Sequence, residues 1–445
     1  VKKELKSIIV TATWNKLELL KPFLGALLQQ KDRDFGVIIV DNGSDDGTRD
    51  FLVEFANKNT KFPVWALLLK ENAGFALPNN LGISFATEFL ESQYVILLNN
   101  DTLPSPDFTE ILHKKADSYL NGSDKKNLDI DKKLFPFLSR QGQWRIGSFT
   151  PLVENFFARG RVDAAGIKIS PDGNAINRGV GEKIFQYKRE KEVFGPSGSA
   201  ALHLKKALLD VALMPQKIAT LKSWQRVGFD EEKIWSVSLR SAKKLQTKSD
   251  SNYQYLPVKE FFPSRYFAFF EDVDLAWRLR LKHWGSVYIP QARVLHYHSA
   301  TAKSYSPFKS YHAHRNQYFN IIRDFPGRYL YIGLWNAFKR YFLLLKSLKY
   351  HRGPAAQVAK NSGPAKVFYI TLKGWGSVLA NIIGLLKERS EIQSCRFIET
   401  EEFGELIGCA RFRASMAKMI FETHDFLQGH KRSDAKSKAR VRRVV

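Results

Sequence analysis

The sequence predicts an α/β fold built on a nucleotide-binding type of sheet, with amphipathic helices at the C-terminal end. Short β-rich runs alternate with helical stretches through the first hundred residues, and polar residues bunch where those runs end. A region both basic and striped with apolar residues follows them.

The β-rich runs are residues 7–11, 37–40, 64–69 and 94–98; helical patterns fill 17–30, a stretch beginning near Asp46, and 79–90. Such alternation implies right-handed crossovers and parallel strands. Ligands of open α/β sheets collect beyond the carboxyl ends of the strands, where Thr13, Asn15, Asp41 to Ser44, Asn72, Gly74 and Asn99 to Asp101 all fall. Four strand ends point at one site.

The Lys/Asp-rich stretch 114–133 and the polar stretch 216–255 lack apolar periodicity and read as loops, within insertions at about 114–145 and 214–260. Residues 162–209 resume β-like runs, with turns at Pro171-Asp172-Gly173 and Gly195-Pro196-Ser197-Gly198. An aromatic run at 266–270 and a helix over 272–283 continue a domain taken to span 1–326.

Beyond it, Leu334, Phe338, Phe342 and Leu345 make an apolar helical stripe, with Lys339, Arg340, Lys346 and Lys349 mostly off it, so 329–350 reads as a basic amphipathic helix. Residues 367–386 approach the ~20 residues that span a bilayer. Lys373, Gly374 and Gly376 favour an interfacial or packed helix instead. A membrane-associating region over 327–430 and a basic tail over 431–445 complete the division.

Composition bounds the function. Cys395 and Cys409 are too few for a disulfide framework and are not spaced as a zinc cluster, and the first residues do not read as a signal peptide, so a cytoplasmic setting is expected. A formal charge of +25 attracts polyanions, among them nucleic acid, anionic lipid and sugar nucleotides. No nucleic-acid-binding motif accompanies it, and neither a Walker A loop nor a Gly-x-Gly-x-x-Gly fingerprint follows the first strand.

Five stretches carry the chemistry in order: 7–15 (SIIVTATWN), 40–48 (VDNGSDDGT), 71–80 (ENAGFALPNN), 97–102 (LLNNDT) and 270–278 (FEDVDLAWR). Together they resemble the family 2 glycosyltransferases of the GT-A fold, especially the rhamnosyltransferase-like and galactofuranosyltransferase-like bacterial branch, over roughly residues 7–326. The resemblance implies a mixed sheet with helices on both faces. It implies too that Thr13 and Asn15 border the nucleotide and that Asp41, with Asn42 beside it, accepts the imide N–H of uracil or thymine. It brings Asn72 and Gly74 to the ribose or diphosphate, with Asn80 nearby. Asn99, Asn100 and Asp101 stand in the place of an Asp-x-Asp motif whose last carboxylate binds Mg²⁺ or Mn²⁺.

Asn99 leaves that motif one charge short, and His296, which follows a strand-like run at 286–289, is the expected completing ligand, with His298 less favoured. By resemblance Asp272 is the catalytic base, beside an aromatic wall that desolvates it. Glu271 is expected at the acceptor or donor sugar, Asp274 in an i,i+4 pair with Arg278, and Ser197, Gly198 and Ser199 under the acceptor. Arg315, in a stretch with His312 and Asn316, is expected at the diphosphate.

The expected activity is therefore inverting transfer of a sugar, from a dTDP-rhamnose-like or UDP-sugar donor, to a hydroxyl of a polysaccharide or lipid-linked glycan precursor. It would occur at the inner face of the cytoplasmic membrane, held there by the C-terminal helices and tail on anionic lipid. A sugar-nucleotide-binding subunit without catalysis and a basic nucleic-acid-binding protein are the alternatives; no nucleic acid is expected as a partner.

Overall fold

The computed structural model describes residues 4–59, 61–123, 131–140, 142–213, 224–227, 234–235, 258–297 and 305–421. His298, the basic tail and most of the 214–260 insertion lie outside these.

The first half alternates as its pattern predicts: β1 (Leu5–Thr13), α1 (Leu17–Leu28), β2 (Phe35–Asn42), α2 (Thr48–Lys58), β3 (Val64–Leu69), α3 (Ala76–Phe89) and β4 (Ser92–Leu98). β1 pairs in parallel with both β2 and β4, and β2 with β3. Continuous Val/Ile/Leu runs suit strands covered on both sides. On β1, His113 of α4 (Phe108–Leu120) meets Ser7 Oγ at 2.8 Å, whereas Gly82 of α3 abuts Val10. Ser7 and Val10 are an odd number of residues apart and point to opposite faces, so helices cover both faces.

After β5 (Thr102–Pro104) the sheet becomes mixed. β6 (Arg145–Asn155) and β14 (Trp284–His296) run parallel to each other, while β11 (Ala200–Leu204) joins β6 to β4 antiparallel. Between β6 and β11 come β7 (Val162–Ala164), a β8–β9 hairpin (Ile167–Ile169, Ala175–Asn177) and β10 (Lys191–Val193) at the far edge, while β12 (Trp224–Val227) and β13 (Ile234–Trp235) extend the sheet beyond β3. The sheet is mixed, as the resemblance to the GT-A fold implies.

Two expectations are corrected. The stretch from Lys114 begins as helix, because α4 runs to Leu120 with Leu112, His113, Ala116 and Tyr119 inward. The run expected at 286–289 is one part of the longer β14, whose irregular register between Ile289 and Arg293 carries it on to His296.

Five further helices reach the site or the C-terminus: α5 (Lys205–Val211), α6 (Glu271–Leu281), α7 (Pro307–Asp324), α8 (Arg328–Lys349) and α9 (Gly353–Ser362). α10 (Pro364–Ser394), α11 (Thr400–Gly408) and α12 (Met416–Phe421) follow. Phe403, Leu406 and Phe412 join the main core, so a boundary after residue 326 divides the sequence but not the packing. Buried ion pairs tie α10 to that core: Glu388 meets Arg265 and Arg323, and Arg323 also meets Asp274.

The apolar stripe of α8 faces outward. Gly333 and Ala337 pack inward, while Trp335, Phe338, Phe342 and Leu345 are exposed, the last at 63%. α10 is long and apolar enough to cross a membrane, with mean hydropathy 1.2 over an 18-residue window of which 17% is buried.

Candidate active site

The corner expected to bind the base forms where β1 and β2 end. Asp41 is fully buried; Ser44 N–H donates to its Oδ2 at 3.2 Å, and Arg49 lies 3.6 Å from the same oxygen. Its Oδ1 has no partner. Burial raises the Asp41 pKa, against the pull of Ser44 and Arg49. Asn15, at φ 48°, accepts from Asp45 N–H and donates its own N–H to Ser44 Oγ, so it holds the turn beside Asp41.

The next two expected ligands turn inward. Asn42 Nδ2 donates to Asn72 Oδ1 at 2.9 Å and to Gly74 O at 2.7 Å, and Asn42 Oδ1 accepts from Ala73 N–H. Asn42 and Asn72 thus pin the β3–α3 loop. Gly74, at φ +83°, approaches protein and not an open site: a Cβ there would sit 2.6 Å from Phe267 O. Asn80 corrects its expectation outright, since it is fully buried and its amide is spent on the backbone of Phe261 and Phe262.

At the end of β4 the expected residues do converge. Asn100 Nδ2 donates to Thr13 Oγ1 at 2.8 Å, and Asn99 N–H donates to Ser199 O at 3.0 Å. Asp101 Oδ1 lies 3.2 Å from His296 Nε2, and His296 Nδ1 lies 2.8 Å from Asp163 Oδ2 on β7. Burial works to neutralise this imidazole, but Asp101 and Asp163 hold its pKa up at about 10.

Sequence reading missed Asp163. An isolated acid in a three-residue strand carries no motif, and only β6–β7 pairing brings it to His296.

One oxygen and one imidazole nitrogen at 3.2 Å, the ring backed by a carboxylate, are a donor set that fits one side of a divalent-metal shell. Among the described residues no group of three or more His, Cys, Asp or Glu side chains is arranged to hold an ion, so water or substrate oxygens would fill the rest.

The acids of α6 are presented by a strained aromatic segment. Phe267 adopts φ 63°, ψ −56°, and Ala268 N–H donates to Tyr266 O at 2.7 Å, which makes a γ-turn. Phe269 and Phe270 also have positive φ, at 68° and 71°. L-residues hold such conformations only where the surroundings over-determine them. Asn316 Nδ2 supplies that restraint, donating to the carbonyls of Tyr266, Ala268 and Phe269.

Arg315 Nη2 donates to Arg265 O and Tyr266 O at 3.0 and 2.7 Å. It braces this segment, where the sequence placed it at a diphosphate.

The helix then begins with Glu271 and Asp272. Asp272 Oδ2 accepts Gly198 N–H at 2.8 Å, and Oδ1 accepts Val273 N–H at 2.9 Å. A Cβ on Gly198 would stand 3.3 Å from Asp272 Cβ, which accounts for glycine there; Ser197 and Ser199 bracket it with their hydroxyls 3.2 Å apart. Burial raises the pKa of Asp272. Glu271 is buried, its Oε2 has no partner, and burial followed by the charge of Asp272 lifts its pKa to about 8. Asp274 pairs with Arg278 at 2.7 Å as its spacing predicts.

Residues 8–200 match the family described as Glycosyl transferase family 2. An N-acetylglucosaminyl-diphospho-decaprenol L-rhamnosyltransferase of Mycobacterium tuberculosis is 38% identical over 82 residues, 18% of this chain and 25% of that protein. An uncharacterized glycosyltransferase of Bacillus subtilis, YfnE, is 33% identical over 101 residues, 23% of this chain and 24% of its own. The matched segments thus span about a quarter of these curated relatives.

Among solved structures, S. aureus TarS 1–349 in complex with UDP-GlcNAc aligns at a TM-score of 0.43 with 12% identity, covering 92% of each chain. The mannosyltransferase PcManGT from Pyrobaculum calidifontis, in complex with GDP-Man and Mn²⁺, aligns at 0.40 with 11% identity, covering 98% of this chain and 89% of that one.

Proposed function

We propose that this chain is an inverting glycosyltransferase that moves a sugar from a UDP-sugar or a dTDP-rhamnose-like donor to a hydroxyl of a polysaccharide or lipid-linked glycan precursor. The observation that carries the reading is one run of contacts: Asp272 to Gly198, Ser199 to Asn99, and Asp101 to His296. It joins a half-buried carboxylate to a candidate diphosphate site through the backbone of a glycine-bearing loop.

Each residue has a task in this reading. Asp41 Oδ1 accepts the imide N–H of the base, for which an orphaned buried acceptor is suited. Asp272 takes the proton of the attacking hydroxyl, as a base whose pKa burial has moved toward the working pH. Glu271 keeps its proton at neutral pH and donates it to a sugar oxygen. A divalent cation held by Asp101 and His296 would offset the charge of the departing diphosphate. A single displacement inverts the anomeric carbon.

Residues 1–326 carry catalysis in this reading, and 327–430 rest on the inner face of the cytoplasmic membrane, with the basic tail on anionic lipid. The exposed Trp335, Phe338, Phe342, Leu379 and Ile383 support that placement, with Lys339, Lys346 and Lys373 in the same helices. A non-catalytic sugar-nucleotide-binding subunit is the competing reading, favoured by the two-residue donor set at Asp101 and His296.

A panel of UDP-, dTDP- and GDP-sugars with Mn²⁺ and glycan acceptors tests the proposal. Acceptor-dependent release of UDP or dTDP is expected; donor binding without release would establish the competing reading.

A further inference from the structure

Cations collect on one flank of the sheet, away from the residues assigned above. On β10, Lys191 stands opposite Tyr288 of β14. Its neighbouring acids turn the other way, Glu190 to Tyr119 and Lys115, and Glu192 to Arg280. Strand alternation therefore leaves Lys191 on a face without them.

The guanidinium of Arg178 lies 4.7 Å from the ring centre of Tyr187 and 5.0 Å from that of Tyr288, on the same side. Glu182, the acid whose charge reaches Arg178, already accepts the Tyr187 hydroxyl at 2.6 Å.

The C-terminal segment completes the flank. Lys168 sits in β8 between Ile167, whose N–H donates to Gly195 O, and Ile169, whose N–H donates to Phe412 O. Phe412 is buried, Arg413 beside it is exposed, and Arg411 is half-buried with its guanidinium donating to Lys133 O. Burial and then repulsion from Arg178, Arg411, Lys168 and Arg189 bring the pKa of Lys191 down to about 8. Cations gathered this closely are relieved by an anion with several charges.

We propose that this flank binds a phosphate-bearing, polyanionic segment of the acceptor and holds it while the end of the chain reaches Asp272; this rests on the glycosyl-transfer reading above. Gly198 is seven residues beyond Lys191, at most about 25 Å of extended chain. An acceptor a few units long bridges that span.

The test uses fluorescently labelled inorganic polyphosphate, its binding followed by anisotropy between 50 and 200 mM salt, on the full chain and on a Lys191→Glu/Arg411→Glu double variant. The variant is expected to bind at least tenfold more weakly, with the salt slope shallower by about two ions, while UDP and dTDP binding and the melting temperature are unchanged. If that variant does not fold, the exposed pair Arg189→Glu/Arg413→Glu replaces it with the same expectation.

A folded variant that binds polyphosphate as tightly as the parent overturns the proposal. So does equal or tighter parental binding of duplex DNA with the same number of phosphates, which would make the flank a nucleic-acid surface. Polyphosphate binding needs no donor, so failure of the glycosyl-transfer reading would show separately, as no nucleoside diphosphate released from any donor.

Discussion

Two adjacent carboxylates on α6 share one environment but not one state. Glu271 titrates at about 8 because burial and the charge of Asp272 both oppose its ionisation. An unfolded glutamate releases its proton near 4.3, so between that pH and about 8 the folded state binds more protons than the unfolded one. The stability this group confers is fully present below pH 4.3 and is lost as pH rises through 8. Glu271→Gln is therefore expected to flatten the decline of melting temperature between pH 5 and 8 and to gain on the order of 1–3 kcal/mol at pH 9. Thermal melts from pH 5 to 9 check this; parallel parent and variant curves would contradict it.

Placement at element ends was legible: Asp41 lies at the end of β2, Asp101 just beyond β4, His296 at the end of β14 and Asp272 in the first turn of α6, as motif and position predict. The misreadings share a cause. Asn42, Asn80 and Arg315 are polar residues near the site whose groups are spent on backbone, and a one-dimensional pattern does not say which way an amide faces.

At the scale of elements, α7 and the segment before α6 form one device. Asn316 pairs three carbonyls of a segment with three positive-φ residues, and Arg315 pairs two more. Asn316→Ala is expected to cost about 1–3 kcal/mol, since it leaves buried carbonyls unpaired. It should lower kcat tenfold or more as Glu271 and Asp272 shift, with donor Kd unchanged. Arg315→Ala should likewise spare donor affinity; a tenfold loss of donor affinity at unaltered stability would return Arg315 to the diphosphate.

Strand and helix positions through β4 were legible because alternation and apolar periodicity coincide there. The end of β14 and the placement of β7 were not, since irregular register and pairing between distant strands leave no local signature.

At the scale of the molecule, the C-terminal helices are both part of the core and the holders of an exposed apolar face. Glu388 anchors α10 through Arg265 and Arg323, which abuts Asp274 two residues from Asp272. Breaking such a buried ion pair on one side costs about 3–5 kcal/mol, so truncation after residue 326 is expected to destabilise the catalytic part. Substitution on the outer face is the cleaner probe: Trp335→Ser/Phe338→Ser/Phe342→Ser should keep its melting temperature and lose at least tenfold in binding to anionic vesicles. Undiminished vesicle sedimentation would remove α8 from the membrane account.

The central claim is that Asp272 is the base of an inverting transfer, and comparison of Asp272→Asn with the parent tests it most directly. Donor affinity and the rate of acceptor-dependent nucleoside diphosphate release are measured on the same preparations. The account predicts donor Kd within threefold of the parent and turnover reduced by at least 10³, since the amide keeps the shape and loses the proton acceptor. Turnover within tenfold of the parent would contradict it.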